Sequence, residues 1–264
     1  MRPRRFMLFF ALTILICAAA VGFWLTTHQP EITAVDISAA FCKPSKIHIM
    51  GCDAYGNDLM TRILMGAWRS LTIALVTVTA TAIIGVLSGT ALVLAPRFLG
   101  LIGLRFIDCF LAFPGLLLAI LMASLMRASS STVMISLIVM GWASQARLVR
   151  ALMLQTMPMP FVESSRAAGA GTWRILVKDI YPALWGQLKI QWVFSISAVI
   201  MGEAGLSFLG LGGPLGEPSW GALIAEGRSY LVEAPHLSLF PGIALFLTVL
   251  TFQFLAQSLK PSSN

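Results

Sequence analysis

Charged side chains are scarce in this 264-residue sequence. Only 11% of the residues are Asp, Glu, Lys or Arg, whereas 58% are hydrophobic. Soluble domains carry about 25% charged residues, so this composition excludes an ordinary soluble protein and predicts a protein that crosses a membrane several times. The formal charge of +7 does not indicate nucleic-acid binding, because most basic residues fall between apolar segments, where they orient helices in the bilayer.

Sequence motifs for catalysis are also absent. No GxxxxGK[ST] stretch occurs, so nothing in this chain cradles nucleotide phosphates. The glycines at 205, 210, 212, 213 and 216 lack the GxGxxG spacing of a dinucleotide site. The three histidines, His28, His48 and His236, fall in or beside polar loops rather than inside apolar stretches. The sequence therefore predicts no catalytic residue, no metal site and no cofactor.

The four cysteines are not arranged in a CxxC pattern. Cys42 and Cys52 lie in one polar interval, where an oxidising compartment would allow them to pair. Two free thiols remain the alternative, because spacing does not determine geometry. Cys17 and Cys109 lie in or beside apolar stretches, and we interpret them as small core residues.

Six apolar stretches have approximately the length that a membrane span requires. They are predicted at 6–26, 71–94, 106–126, 132–150, 190–209 and 237–255. The basic leader before the first stretch and the alanines at 18–20 also permit a signal peptide cleaved near Gly22. Gly85 and Gly89 form a GxxxG pattern in the second stretch, which indicates either close helix packing or an ordinary gap filler.

The basic residues predict an orientation for these spans. If the amino terminus is cytoplasmic, twelve of the 18 Lys and Arg residues are inside: Arg2, Arg4, Arg5, Arg97, Arg105, Arg147, Arg150, Arg166, Arg174, Lys178, Lys189 and Lys260. Both termini and the loop 151–187 are then cytoplasmic, and the segments 27–69 and 210–236 are outside, which agrees with the positive-inside bias. Within the first outer segment, Asp58 and Arg62 are spaced to pair on a short interfacial helix, Asp58–Arg69.

A polar stretch at 161–182 separates two strongly apolar blocks. Pro158 and Pro160 end the preceding segment, and Gly169 with Gly171 predicts a bend between two short helices. The second helix is predicted to run to Asp179 or Ile180, with Pro182 as its stop.

The order Glu163, two small residues, Gly169, Ile180 and Pro182 resembles the cytoplasmic "EAA" loop of permease subunits of bacterial ABC importers. In that family the loop is a coupling helix that fits a cleft on the ATPase subunit. Two serines replace the usual alanines, and Tyr181 stands where leucine is usual. The resemblance implies that the ATPase-coupling residues are Glu163, Ser164, Ser165, Arg166, Ala167, Gly169, Ile180 and Pro182.

A second resemblance lies near the carboxyl end. SFLGLG at 207–212 and PSWG at 218–221 are similar to the C-type permease of dipeptide, oligopeptide and nickel importers. There the loop lies outside, near the pathway mouth, which implicates Glu203, Ser207, Gly210, Gly212 and Trp220. We interpret Trp220 and Tyr230 as interfacial anchors, with substrate contact as the alternative. We expect Glu203 to pack the loop, with substrate contact as the alternative.

The resemblance covers nearly the whole chain and implies a single permease domain, 1–264, with the all-α, six-helix fold of type I ABC importers and an uncleaved first span. Implied partners are a homologous second permease, two ABC ATPases that bind ATP and Mg²⁺, an extracytoplasmic solute-binding protein and the lipid of a bacterial inner membrane. Short peptides are the expected solute, with nickel or another metal chelate as the alternative. A stand-alone channel or secondary transporter is a second alternative, although the sequence lacks the repeated halves of many carriers.

Overall fold

The computed structural model describes residues 3–28, 36–213 and 217–260. Ten α-helices occur in these ranges: α1 Pro3–His28, α2 Leu59–Leu94, α3 Arg97–Ala112, α4 Gly115–Leu125, α5 Ser130–Thr156, α6 Pro160–Ala167, α7 Thr172–Ile175, α8 Tyr181–Phe208, α9 Trp220–Gly227 and α10 His236–Ser258. Short 3₁₀ turns cover Ile37–Ala39 and Arg228–Tyr230. The described residues contain no strand beyond an isolated bridge between Cys52 and Asp58. The all-α prediction is confirmed.

Four of the helical segments in the described ranges are long and apolar enough to cross a membrane: Leu59–Leu94, Ser130–Thr156, Thr172–Phe208 and His236–Ser258. The pair α3 and α4 makes a fifth if it is counted as one bent span. The predicted first span, 6–26, lies on α1, but the side chains of residues 3–12 lie outside the described part. The predicted count of six is therefore not confirmed.

Helix α2 is longer than the predicted span 71–94, because it begins at Leu59. Asp58 is its N-cap, since the carboxylate accepts a hydrogen bond of 2.9 Å from the backbone N–H of Thr61. The separate interfacial helix predicted at Asp58–Arg69 is wrong: these residues form the first turns of α2, and no proline interrupts the helix. The predicted pairing of Asp58 with Arg62 is also wrong, because Asp58 is occupied in capping.

The predicted span at 106–126 is broken. Helices α3 and α4 meet at an angle of 84° across Phe113 and Pro114. Proline has no N–H to continue the helix, and its ring forces the preceding residue into an extended conformation. Phe113 has φ −81° and ψ 137°, as this effect requires.

Pro182 does not stop a helix, contrary to the prediction. Helix α7 continues through one wide π-helical turn, Leu176–Ile180, into α8, so that Thr172–Phe208 forms one helical segment. Proline is tolerated in the first turn of a helix, and a π turn changes the hydrogen-bond pattern just before its ring. The predicted span 190–209 is thus the second part of a longer helix.

Helices α2 and α5 pack closely at the two glycines of the GxxxG pattern. A Cβ built on Gly85 would overlap the Cβ of Gln145, and one on Gly89 would lie 2.6 Å from the carbonyl oxygen of Ala146. Only glycine allows this approach, which settles the open question in favour of close helix packing.

The buried side chains divide the molecule into two ends. Residues 36–58, the start of α2, the end of α8 and α9 lie at one end, which we call the disulfide end after the Cys42–Cys52 bond. Helix α6, the π turn and the end of α5 lie at the other, the α6 end, around Val162. The larger apolar core extends from the disulfide end along α2, α8 and α10.

Arg62 joins three segments at the disulfide end. Its Nη1 donates to Asp53 Oδ2 at 2.6 Å and to Glu226 Oε2 at 2.7 Å, and its Nη2 donates to Glu226 Oε1 at 3.1 Å. The side chains of Arg62 and Asp53 are only 9% and 6% exposed. Asp53 also accepts hydrogen bonds from the backbone N–H groups of Tyr55 and Asn57. The guanidinium therefore connects the segment before α2, α2 itself and α9.

Gly89→Ala is expected to lower the thermal stability of the purified protein. The new methyl group meets the backbone of α5, and overpacking of this kind costs about 1–3 kcal/mol. Gly186→Ala is the matched control, because a Cβ at that helical position meets no described atom within 4 Å. The fraction of monodisperse protein after heating in detergent measures both. Equal stability of the two variants would contradict the close packing.

Arg62→Met is expected to lower the melting temperature by about 6–20 °C. The change leaves the buried Asp53 carboxylate without its cation, and breaking a buried pair costs about 3–5 kcal/mol. Arg147→Met is the control, because Arg147 and Asp108 lie 3.7 Å apart with side chains 60% and 35% exposed, and exposed pairs contribute little. Adding Asp53→Asn to Arg62→Met should restore part of the lost melting temperature, because it removes the unpaired carboxylate. A double variant that is no more stable than Arg62→Met would show that the loss does not come from the broken ion pair.

Candidate functional site

Val162 is the one buried residue of helix α6, and it attaches this helix to the end of α5 and the start of α8. Pro160 stands in the first turn, where its missing N–H has no partner to lose. Val162 is fully buried and belongs to a cluster with Val149 and Met153 of α5 and with Ile180 and Leu184 of the following helix. The rest of α6 consequently faces away from the bundle.

The outward face of α6 and α7 mixes charges with large apolar groups. Glu163, Arg166 and Arg174 are exposed, and Phe161 and Trp173 are 41% and 75% exposed. Glu163 has no ion-pair partner among the described residues. We call this face, made by the exposed residues of 159–178, the α6 surface.

Gly169 ends α6 in a left-handed conformation, with φ +80°. Its N–H bonds to the carbonyl of Arg166 and the N–H of Ala170 bonds to that of Ser165, both at 3.0 Å. This pair of bonds is the Schellman motif, which favours glycine at this position. The predicted bend is present, and Gly169 makes it.

Most of the predicted coupling residues lie on or beside the α6 surface. Glu163, Ser164, Arg166, Ala167, Gly169 and Pro182 are exposed, and Ser165 is half-buried. Ile180 is completely buried. It belongs to the apolar cluster that contains Val162 and is not part of the exposed α6 surface.

Glu203 is fully buried near the end of α8. Its carboxylate accepts hydrogen bonds from Ser70 Oγ at 3.0 Å and Ser207 Oγ at 2.7 Å. No cation lies within ion-pair distance of it in the described ranges. The bonds connect α2 with α8, which is a packing arrangement and agrees with the interpretation of Glu203 as a packing residue.

The loop after α8 is held by close contacts. Gly210 has φ +81°, and a Cβ on Gly212 would overlap Ser207. Arg69 Nη2 donates to the carbonyl of Gly212 at 3.0 Å and Nη1 to that of Glu217 at 2.8 Å. Ser207, Gly210 and Gly212 thus shape the loop.

Trp220 is not an interfacial anchor, because it is 2% exposed. Its indole N–H donates to the carbonyl of Ile63 at 3.1 Å and holds α9 against α2. Tyr230 is half-buried and packs on Phe41 with ring centroids 4.7 Å apart. The sequence did not reveal that Trp220 holds α9 against α2, because its burial depends on α9 folding back onto α2, which no local pattern indicates.

Cys42 and Cys52 form a disulfide, with Cα atoms 4.8 Å apart. A ring nitrogen of His48 and the two sulfurs lie within 4.8 Å of one another, but the sulfurs are bonded to each other rather than present as thiolates. His48 Nδ1 lies 3.0 Å from Asp58 Oδ1.

Cys17 and Cys109 are exposed, so the expectation of core positions is wrong for both.

Two cavities are candidates for small ligands. One of about 210 Å³ at the disulfide end lies beside Arg62, Glu226 and Tyr230. The other, of about 400 Å³, lies between α2, α5 and α8 and is lined by Val86, Gln145, Trp185, Lys189 and Trp192 among others. The second has the size of a small-molecule site.

Comparison with known proteins identifies the fold. The structure of the inward-facing MetNI methionine ABC transporter matches with a TM-score of 0.64 and 19% identity, over 77% of this chain and 98% of that one. A second crystal form matches with a TM-score of 0.63 and 18% identity. The chain therefore has the permease fold of type I ABC importers.

Relatives in sequence cover almost the whole chain. A peptide transport system permease protein of Brucella suis biovar 1 is 36% identical over 98% of this chain and 87% of its own length. A glutathione transport system permease protein of Pectobacterium atrosepticum is 38% identical over 91% of this chain and 81% of its own length. These relatives are transporter subunits rather than enzymes.

Residues 81–263 match the family described as binding-protein-dependent transport system inner membrane component. This range contains the α6 surface, the buried Glu203 and the loop after α8, and it covers more than half of the chain. The protein is a multi-pass membrane protein that belongs to this family of ABC importer permeases.

Proposed function

We propose that the chain forms half of the translocation pathway of an ATP-driven importer and that the α6 surface docks onto an ABC ATPase subunit. The observation that carries this proposal is the α6 surface, where two short helices expose the charged residues Glu163, Arg166 and Arg174 together with the apolar residues Phe161 and Trp173. Exposed apolar groups with charges around them are typical of a protein interface. The EAA-like sequence lies on the same surface.

The attachment of α6 supplies a mechanical connection to the spans. Val162 packs with Val149 and Met153 near the end of α5 and with Ile180 and Leu184 at the start of α8. Close-packed interiors transmit displacement because they have few voids. An ATPase that closes on ATP and moves α6 would therefore move α5 and α8, and the pathway would switch between two states.

The orientation follows from the same proposal. The α6 end and both termini face the cytoplasm, where ATP and Mg²⁺ are bound by two ATPase subunits, and the disulfide end faces outward. An oxidising compartment on that side is compatible with the Cys42–Cys52 bond. A second, homologous permease and an extracytoplasmic solute-binding protein complete the importer.

Short peptides are the proposed solute. The names of the Brucella and Pectobacterium relatives specify peptide and glutathione, which is itself a small peptide. A nickel or other metal chelate is the alternative within the same importer type. The solute-binding protein that accompanies the chain distinguishes them, since it can be titrated with di- and tripeptides and with a nickel–histidine chelate.

Mild detergent purification of the chain from its native membrane is expected to recover a second permease and ABC ATPase subunits. Mass spectrometry identifies the partners, and ATP-dependent uptake into proteoliposomes checks their function. Recovery of the chain alone, with solute flux that is indifferent to ATP, would instead indicate a channel or secondary carrier.

Glu163→Lys is expected to lower ATP-dependent uptake at least about tenfold, equivalent to about 1.4 kcal/mol of docking free energy. The substitution reverses one exposed charge on the α6 surface, while the buried Val162 contact remains. Glu233→Lys makes the same change at an exposed site of the disulfide end and is the control. Membrane content of each variant is measured by immunoblot.

Gly169→Arg is expected to lower uptake as well, because an arginine strains the left-handed position and adds a long side chain there. Gly169→Asn tests the strain, since asparagine tolerates this conformation better. Normal uptake by both Glu163→Lys and Gly169→Arg would remove the coupling assignment.

A further inference from the structure

A row of hydrogen-bonded polar side chains, which we call the polar ladder, begins at Gln145 in the wall of the cleft between α2, α5 and α8. Gln145 Nε2 of α5 donates to Ser195 Oγ of α8 at 2.9 Å, and Gln191 Nε2 lies 3.4 Å from the same oxygen. Gln191 and Ser195 are four residues apart and share one face of α8. All three residues are half-buried, so the ladder is open to one side.

Lys189 precedes Gln191 by two residues on α8 and lies on the side of the ladder that is nearer the α6 end. It is exposed, it lines the cleft, and it has no ion-pair partner among the described residues. Twenty residues of helix measure about 30 Å, the thickness of the hydrocarbon layer. Counted back from Phe208, this distance ends near Lys189, which places the lysine at the mouth of the cleft.

Polar groups on a lipid-facing surface of a span are costly, and they usually face a protein or a water-filled cavity. Trp185 and Trp192 also line the cleft, and Lys189 is the one cationic residue among the described residues of its lining. An apolar wall with one amide and one unpaired ammonium suits a small organic solute that carries a carboxylate.

We propose that this cleft lines the solute pathway and that Lys189 attracts the carboxylate of the passing solute at the mouth. The inference deepens the proposed importer function and rests on it. Further along α8, toward the disulfide end, the side chains of Gln145, Ser195 and Gln191 can exchange their mutual hydrogen bonds for bonds to the solute. Because Lys189 is exposed, the attraction is weak enough to release the solute, as transport requires.

The test is thiol labelling of the full chain in broken native membranes, which exposes both faces. Ser195→Cys is the reporter, in a chain that also carries Cys17→Ser and Cys109→Ser to remove the two free thiols. Its rates of reaction are compared for an anionic reagent, sulfonatoethyl methanethiosulfonate, and a cationic one, trimethylammonioethyl methanethiosulfonate. The sulfonate stands in for the carboxylate of the solute.

Lys189→Met is expected to lower the ratio of anionic to cationic rates about two- to fivefold. The estimate takes one unit charge at about 9 Å, six residues along the helix, with screening by salt. Lys189→Arg should preserve the ratio. Lys178→Met, which removes a more distant exposed lysine, should leave it unchanged.

Phe194→Cys is the matched site control, because Phe194 is next to Ser195 and 50% exposed but, unlike Ser195, is not bonded to Gln145 of the cleft wall. It should react far more slowly with both reagents. Gln191→Cys is a second reporter if Ser195→Cys does not accumulate.

Two outcomes would overturn the proposal. Unreactive cysteines at both reporter sites would show a dry or lipid-covered cleft, as expected if Lys189 only pairs with lipid phosphate. Reactive reporters with a ratio indifferent to Lys189→Met would show a wet cleft without a role for the lysine. Labelling does not depend on ATPase partners, so its failure is distinguishable from failure of the importer function, which purification of the complex tests.

Discussion

The buried guanidinium of Arg62 is the constraint on which the disulfide end depends. Arginine stays protonated in proteins, so its burial requires carboxylates at fixed positions. Asp53 and Glu226 supply them from segments far apart in sequence, at 2.6 and 2.7 Å. The next residue, Ile63, offers its carbonyl to Trp220, so α9 is attached to α2 by an ion pair and a buried indole at adjacent positions. Arg69, two turns along α2, then holds the loop after α8.

The α6 end is held together by apolar packing rather than by buried ion pairs. Its attachment is apolar and centres on Val162, and no ion pair in the described ranges involves Glu163, Arg166 or Arg174. Charges satisfied within the protein stabilise its own structure, whereas charges left in water can pair with a partner at little desolvation cost. The buried charges of the disulfide end are thus paired with one another, whereas the charges of the α6 surface face water and are available to the ATPase proposed to dock there.

Local chemistry in the sequence predicted the helices and the Gly169 bend, because apolar runs and a left-handed glycine are encoded by neighbouring residues. It failed where a competing local bond or a distant segment decides the outcome. Asp58 was expected to pair with Arg62, but the capping of α2 and the approach of Glu226 assign both residues elsewhere. Trp220 was expected at the membrane interface, but α9 folds it inward. Pro114 and Pro182 carry the same backbone restriction, yet one bends a helix by 84° and the other follows a π turn, since the neighbouring packing determines how a helix accommodates a missing N–H.

The contact between α2 and α5 links stability to the proposed pathway. Gly85 leaves the space into which the backbone of Gln145 fits, and Gln145 reaches across to Ser195 of α8 at 2.9 Å. Val149 and Met153, one and two turns further along α5, belong to the cluster that contains Val162. A displacement of α6 would therefore reach the bond between Gln145 and Ser195 through only two turns of helix. A side chain–side chain hydrogen bond contributes only about 1 kcal/mol, so this bond by itself opposes a relative movement of α5 and α8 only weakly.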